Sequence, residues 1–147
     1  MKPIIHCLML AALTLLSLPA TAEQQNFGEY ELNYTVFEST FLQPDIANQY
    51  GFSRSKGRGL INVSVLKNND NELPTPTSAI VTAKVTNLIG QIVRLKFTTI
   101  KEGDAIYYIA PFTKTNDEIL KFEISAKLNA NSSPMTVNFR KHVYVDR

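Results

Sequence analysis

Cysteine, tryptophan and histidine are almost absent from this chain of 147 residues, and each absence restricts its chemistry. The single cysteine, Cys7, lies in an apolar N-terminal run, so the rest of the chain has no disulfide to form and its core must hold the fold. His142 is the only histidine beyond that run. Nucleophilic catalysis needs a cysteine, or a serine or threonine with a base in reach. A zinc site with one histidine and no cysteine would need two carboxylates. We therefore expect no catalytic residues, no metal and no cofactor.

An excess of charge of one sign is also lacking, because 15 basic residues nearly balance 13 acidic ones and the formal net charge of the whole chain is only +2. Such a balance argues against a general nucleic-acid binder. The Asp and Glu residues are widely spaced and form no paired-carboxylate motif along the chain. Spacing along the chain does not fix distance in space, so an enzyme or enzyme subunit with carboxylate chemistry in a cleft stays open as the alternative function.

Residues 1–22 have the pattern of a signal peptide. Lys2 supplies the positive start, residues 4–18 are nearly all apolar, and Ala20-Thr21-Ala22 has the small-x-small form that a signal peptidase accepts. The apolar run is too short to span a membrane convincingly. We predict cleavage after residue 22, a periplasmic protein with no membrane anchor after cleavage, and a single domain over residues 23–147.

Beyond residue 22, apolar and polar residues alternate with a period of two, which is typical of half-buried strands. About seven such runs, with turn signals roughly every ten residues, predict an all-β fold. We interpret it as a single antiparallel β-sandwich of the immunoglobulin-like class, with a small barrel as the alternative. Residues 105–112 are the most apolar run and predict a central strand, whereas Lys141 on an inward face indicates an edge strand or a bulge.

One short helix and one tight turn interrupt this pattern. Pro44 suits the first helical position, Asp45 suits the positive end of the helix, and Gly51 suits its stop, so residues 44–50 predict one or two helical turns. The glycine within residues 87–91 predicts a hairpin turn between two strands.

Most of the chain beyond residue 22, and most specifically residues 33–66, resembles a family of exported bacterial proteins known as domain of unknown function four-four-two-six (DUF4426). Three stretches carry the resemblance: Asn33-Tyr34-x-Val36-Phe37-x-Ser39-Thr40-Phe41-Leu42, Tyr50-Gly51-Phe52-x-Arg54-Ser55-Lys56 and Gly59-Leu60-Ile61-Asn62-Val63-Ser64-Val65-Leu66. The resemblance implies export and a single sandwich domain, and it brings no activity with it.

The most unusual local chemistry is a basic loop, residues 52–59, between the predicted helix and the next strand. Arg54, Lys56 and Arg58 alternate with small polar residues there, so their cations could project to one side while hydroxyls and amides face a ligand. Glycines 57 and 59 would permit the positive-φ turns of an anion-binding nest. The hypothesis places ligand-binding residues at Tyr50, Arg54, Ser55, Lys56 and Arg58.

An ordinary solvated loop is the alternative interpretation, with its cations paired to acids such as Glu38 and Asp45. Three exposed contacts at about 1 kcal/mol each give only millimolar affinity. A tight site would therefore need further contacts from a pocket or a partner. The sequence favours a non-catalytic binding or interaction module for an acidic ligand or an acidic protein partner.

Overall fold

Two antiparallel β-sheets face each other in the computed structural model, which describes residues 22–145. The strands in chain order are β1 Glu23–Phe27, β2 Tyr30–Glu38, β3 Arg58–Asn69, β4 Glu72–Pro76, β5 Ile80–Thr86, β6 Ile92–Arg94, β7 Thr98–Glu102, β8 Ala105–Thr113, β9 Glu118–Lys127 and β10 Met135–Val143. A 3₁₀ turn covers Ser39–Phe41, and helix α1 covers Pro44–Tyr50. The predicted antiparallel sandwich with one short helix is confirmed. The predicted signal peptide lies outside the described residues.

Most strands pair with a neighbour in sequence, and the chain crosses between the sheets after β4, β6 and β8. The six-stranded sheet has the order β1-β2-β3-β8-β7, with β4 paired to the far end of β3. The four-stranded sheet has the order β10-β9-β5-β6. The predicted central strand, β8, lies between β3 and β7. Lys141 lies on the edge strand β10, as predicted, and it is exposed although the sequence pattern placed it on an inward face.

The described residues form ten strands, where the alternation predicted about seven. The additional strands are short and lack a clear period of two. Strand β4 contains Pro74 and Pro76, and it is tolerated because it pairs on one side only. Strand β6 ends at Arg94 and β7 begins at Thr98, so the chain crosses from one sheet to the other over residues 95–97.

The core between the sheets is built from the inward residues of each strand. Phe122 is fully buried, stacks on Phe139 with ring centroids 5.0 Å apart and meets Phe112 edge-on at 5.1 Å. Aromatic pairs at these separations add to the gain from burial alone. This cluster fixes which face of each strand points inward.

Helix α1 covers a second, smaller apolar cluster on the outer face of the six-stranded sheet. Ala47 and Phe52 are buried there against Leu60, Ile100 and Ile109. The helix stops at a left-handed glycine, residue 51, with φ of 74°. The predicted bounds of the helix are confirmed, and its contact with the sheet holds it where seven residues alone would be marginal.

Candidate functional site

The basic loop lies at one end of the sandwich. Arg58 opens β3 and is paired with Thr113, the last residue of β8, and Glu38, the last residue of β2, pairs with Gly59. The backbone N–H of Lys114 donates to the carbonyl of Gly57 at 3.0 Å. We use the name basic end for the basic loop together with residues 87–91, 114–117 and 143–145, which the strand pairings bring to the same end.

Hydrogen bonds to the 3₁₀ turn fix the backbone of the basic loop. The buried Ser39 hydroxyl donates to the Ser55 carbonyl at 2.8 Å and accepts from the Ser55 N–H at 2.9 Å. The Ser55 hydroxyl accepts from the Gly57 N–H at 3.2 Å, and the Arg54 guanidinium donates to the Thr40 carbonyl at 2.9 Å. The backbone of the loop is therefore held in one conformation, and the N–H groups of Ser55 and Gly57 already donate to oxygens within the protein.

The glycines of the basic loop do not form the anion-binding nest that the sequence suggested. Among the described residues, positive φ angles at glycine occur at Gly28, Gly51, Gly90 and Gly103, and neither Gly57 nor Gly59 has one. Gly59 serves a different purpose, because a Cβ there would fall inside the ring of Phe112. Because Gly59 has no side chain, the buried Phe112 ring can pack directly against the loop backbone.

The three cations of the basic loop are exposed, and none lies within 4.0 Å of a carboxylate in the part of the chain that the structure describes. The pairing with Glu38 or Asp45 that a purely structural loop would show is not seen. Lys56 and Arg58 project into solvent, while Arg54 is tethered by its bond to Thr40.

Tyr50 ends helix α1 beside the loop. Its side chain is half-buried against the cluster of Ala47, Phe52 and Leu60. The backbone N–H of Phe52 donates to the Ala47 carbonyl at 2.8 Å, which fixes where the chain leaves the helix. Tyr50 therefore supports the base of the loop and exposes part of its ring next to it.

A buried lysine that the sequence did not reveal lies behind the basic loop. Lys114 is only 4% exposed, its Nζ is 2.6 Å from the Glu38 carboxylate, and it also donates to the Tyr144 carbonyl. These contacts join the ends of β2 and β8 to the C-terminal segment. Because Lys114 neutralises Glu38, that carboxylate is not free to pair with the loop cations.

His142 belongs to an exposed polar cluster at the same end. Its Nε2 is 2.6 Å from the Asp117 carboxylate, and the Tyr144 hydroxyl is 3.1 Å from its Nδ1. The imidazole and phenol rings stack with centroids 4.4 Å apart. His142 is exposed on the edge strand β10. Its partner Asp117 is 25 residues away and could not be found by spacing.

Residues 22–145 contain no group of three or more His, Cys, Asp and Glu side chains that could hold a metal ion. In the same range no helix is long and apolar enough to cross a bilayer. The hydrogen-bond partners of His142 are Asp117 and Tyr144, and neither is a serine or a threonine. These hydrogen bonds therefore do not form a nucleophile–base pair.

Comparisons with known proteins identify a family and similar folds for this chain. A search of curated proteins finds no match. A crystal structure of a DUF4426 family protein from Pseudomonas aeruginosa PAO1 is 33% identical, with a TM-score of 0.73, and the match covers 86% of this chain and 97% of that one.

A more distant likeness extends to FetP of the uropathogenic Escherichia coli strain F11, recombinantly expressed in the periplasm. It has 12% identity and a TM-score of 0.59 over 86% of this chain and 95% of that one. A copper-bound variant of FetP gives 14% identity and a TM-score of 0.58 over 84% and 95%. At these identities the likeness concerns the fold alone. The model of the family described as "Domain of unknown function (DUF4426)" matches residues 24–146, and the chain belongs to that family.

Proposed function

We propose that this protein is an exported, non-catalytic binding module and that its basic loop recognises an acidic ligand or partner. Export is supported by the signal-peptide pattern of residues 1–22. Export also agrees with the periplasmic expression of the structurally similar FetP. The role of the loop is supported by one observation above the others: its cations are exposed and have no carboxylate partner among residues 22–145, on a backbone that is held in place.

The fixed backbone matters because a flexible loop loses conformational freedom when it binds. The two hydrogen bonds between Ser39 and Ser55 order the loop in advance. A preorganised site keeps more of its interaction energy as affinity. Lys56 and Arg58 would contact the ligand, while Arg54, Ser55 and Tyr50 hold the loop and line its base.

Copper binding is not part of the proposal, because the side chains present do not fit it. Copper favours imidazole, thiolate and thioether ligands. The described residues include one histidine, His142, which is engaged by Asp117 and Tyr144. They include one methionine, Met135, which is buried in the core, and no cysteine.

The proposal is tested by titrating a fluorescent polyglutamate peptide with the protein and with the variant Lys56→Ala/Arg58→Ala. Loss of two contacts at about 1 kcal/mol each predicts binding roughly tenfold to thirtyfold weaker at low salt. The difference should shrink as salt approaches physiological strength, where exposed charges are screened within about 8 Å.

The matched control removes the exposed lysines at the opposite end of the sandwich, in the variant Lys67→Ala/Lys101→Ala. It changes net charge by the same amount and should bind polyglutamate like the unaltered protein. Equal losses in both variants would show that affinity depends on total charge, and the loop would then have no special role.

A further inference from the structure

The hairpin between β5 and β6 exposes a cluster of aliphatic side chains of the kind that soluble proteins usually bury. Leu88 is 73% exposed and Ile89 is 80% exposed at its tip, and Ile92 and Val93 just beyond are more than half exposed. Turn positions of this kind are normally filled by Gly, Asn, Asp or Ser. Clustered exposed apolar residues mark surfaces that contact another apolar phase.

This hairpin is a rigid structure, which keeps its tip in the exposed position. The Asn87 N–H donates to the Gln91 carbonyl at 3.1 Å, and the Gly90 N–H donates to the Asn87 carbonyl at 3.0 Å. The Asn87 side chain accepts from the Gln91 N–H at 2.9 Å and donates to the Gln91 side chain at 2.8 Å. Gly90 takes a φ of 83° and closes the turn.

Cations lie directly beside the tip. Leu88, Lys121 and Arg140 line one shallow depression of about 240 Å³. Lys121 and Arg140 are paired across β9 and β10 and are both exposed. The strands of the four-stranded sheet carry six basic residues against two acidic ones. The strands of the other sheet carry three basic residues against five acidic ones.

The hairpin and the basic loop lie at the same end of the molecule. Thr86, which precedes the hairpin, pairs with Lys121 near the start of β9. Gln91 shares a cavity of about 250 Å³ with Thr113, at the end of β8 and next to the basic loop. A single flat surface placed against the basic end could therefore meet both features.

We propose that the acidic partner of the basic end is an anionic phospholipid bilayer, which Leu88 and Ile89 enter while the surrounding cations contact lipid phosphates. This inference rests on the proposed function and names its ligand class. Aliphatic side chains below the headgroups and basic side chains level with them are the pattern of interfacial membrane binding. The contact is peripheral and reversible, and it involves no membrane-spanning segment.

Two other occupants fit the surface less well. A second copy of the chain meeting this end symmetrically would place Lys121 and Arg140 against the same cations, and like charges repel across an interface. A protein partner would need a groove to receive the convex tip in addition to an acidic surface. A fluid bilayer accommodates a two-residue tip without any matching shape.

The experiment measures cosedimentation of the exported protein with vesicles of equal parts phosphatidylglycerol and phosphatidylcholine, and with vesicles of phosphatidylcholine alone. The N-terminus is first checked by mass spectrometry, because a retained apolar run at residues 4–18 would itself bind vesicles. Leu88→Ser/Ile89→Ser should lower partitioning into the anionic vesicles at least about tenfold, since two aliphatic side chains lose their burial. Leu73→Ser, at an 86% exposed leucine of β4 at the opposite end, should leave it unchanged.

A second measurement reports insertion directly and uses the absence of tryptophan from the chain. Ile89→Trp gives a single tryptophan, which can be excited selectively over the six tyrosines and whose emission should shift to shorter wavelength on anionic vesicles. Leu73→Trp should show no shift under the same conditions. Unfolding transitions of all variants should match that of the parent protein, because the altered side chains make few contacts.

Each other outcome overturns the inference in a recognisable way. If Leu88→Ser/Ile89→Ser bound vesicles like the parent protein and Ile89→Trp showed no shift, vesicle binding would be electrostatic adsorption without insertion of the tip. The proposed function would then still hold. Polyglutamate binding without vesicle binding would identify an acidic polypeptide as the partner. Self-association that Leu88→Ser/Ile89→Ser abolishes would assign the hairpin to a second copy. If Lys56→Ala/Arg58→Ala altered neither polyglutamate nor vesicle binding, the proposed function itself would fail.

Discussion

Lys114 is the residue whose environment depends most on a single partner. It is 4% exposed, while the Glu38 side chain bonded to it is 30% exposed. Removing one member of a buried ion pair costs more when the member left behind is the buried one. We expect Glu38→Gln to destabilise the protein by about 3 kcal/mol, and Lys114→Met to cost less because water can solvate the remaining carboxylate.

Urea unfolding of both single variants and of the double variant Glu38→Gln/Lys114→Met measures this asymmetry. The double variant should be more stable than Glu38→Gln alone, because no buried charge is then left without its partner. Equal costs for the two single variants would show that the pair is solvated from both sides.

Tyr34 gives the fold a dependence on alkaline pH. Burial raises the pKa of its phenol from 10.0 to about 12, and the hydrogen bond to Glu23 and the negative charge of Glu23 act in the same direction. The folded chain therefore holds this proton more tightly than the unfolded chain. The resulting stabilisation is complete below pH 10.0 and is lost as pH rises toward about 12.

The measurement compares the free energy of unfolding of the parent protein and of Tyr34→Phe across this alkaline range. Lysines also titrate there, so the difference between the two proteins isolates Tyr34. We expect the parent to lose stability more steeply than the variant between pH 10.0 and about 12. Parallel curves would assign the alkaline loss to the lysines.

At the scale of elements, the basic loop contains two glycines with opposite tolerance to substitution. A Cβ at Gly57 would meet its nearest neighbour at 3.8 Å, an ordinary contact, whereas a Cβ at Gly59 would overlap the Phe112 ring. Gly59→Ala should therefore cost about 1–3 kcal/mol through overpacking. Gly57→Ala should change stability by less than about 0.5 kcal/mol, as surface changes usually do.

Thermal unfolding of the two variants makes this a matched test within one loop. If Gly59→Ala were also neutral, Phe112 would have room to move, and the loop would be less firmly seated on the core than the structure shows. If only Gly57→Ala lowered stability, the steric constraint would lie at Gly57 and not at Gly59.

Elements with a strong local signal could be predicted from the sequence, and those defined by distant contacts could not. Helix α1 was predicted because Pro44 and Gly51 mark its ends by local backbone chemistry. Strand β4 was missed because its pairing with β3, and not its own sequence, makes it a strand. Asp117, Lys114 and the exposed hairpin tip follow from how strands pair across the molecule, although two aliphatic residues in a predicted turn were a signal of the tip.

At the scale of the whole molecule, the predicted export can be tested by fractionation. Cells that express the full chain should yield a periplasmic product that begins at Glu23, because Ala20-Thr21-Ala22 suits signal peptidase. Mass spectrometry of each fraction checks the cleavage point. An uncleaved chain confined to the membrane fraction would contradict the prediction and would identify residues 1–22 as a retained anchor.

The strands of the four-stranded sheet are net positive and those of the six-stranded sheet net negative, so the strand charges form an electric dipole across the sandwich, although the formal net charge of the chain is only +2. In the field of an anionic surface a dipole experiences a torque, so the molecule turns the cations of its four-stranded sheet, among them Lys121 and Arg140 beside the hairpin tip, toward the surface before any contact forms. The screening length at physiological salt, about 8 Å, is close to the roughly 10 Å that separates packed sheets. Under those conditions charges more than one screening length from the surface contribute little, and orientation during approach depends on the charges nearest to it.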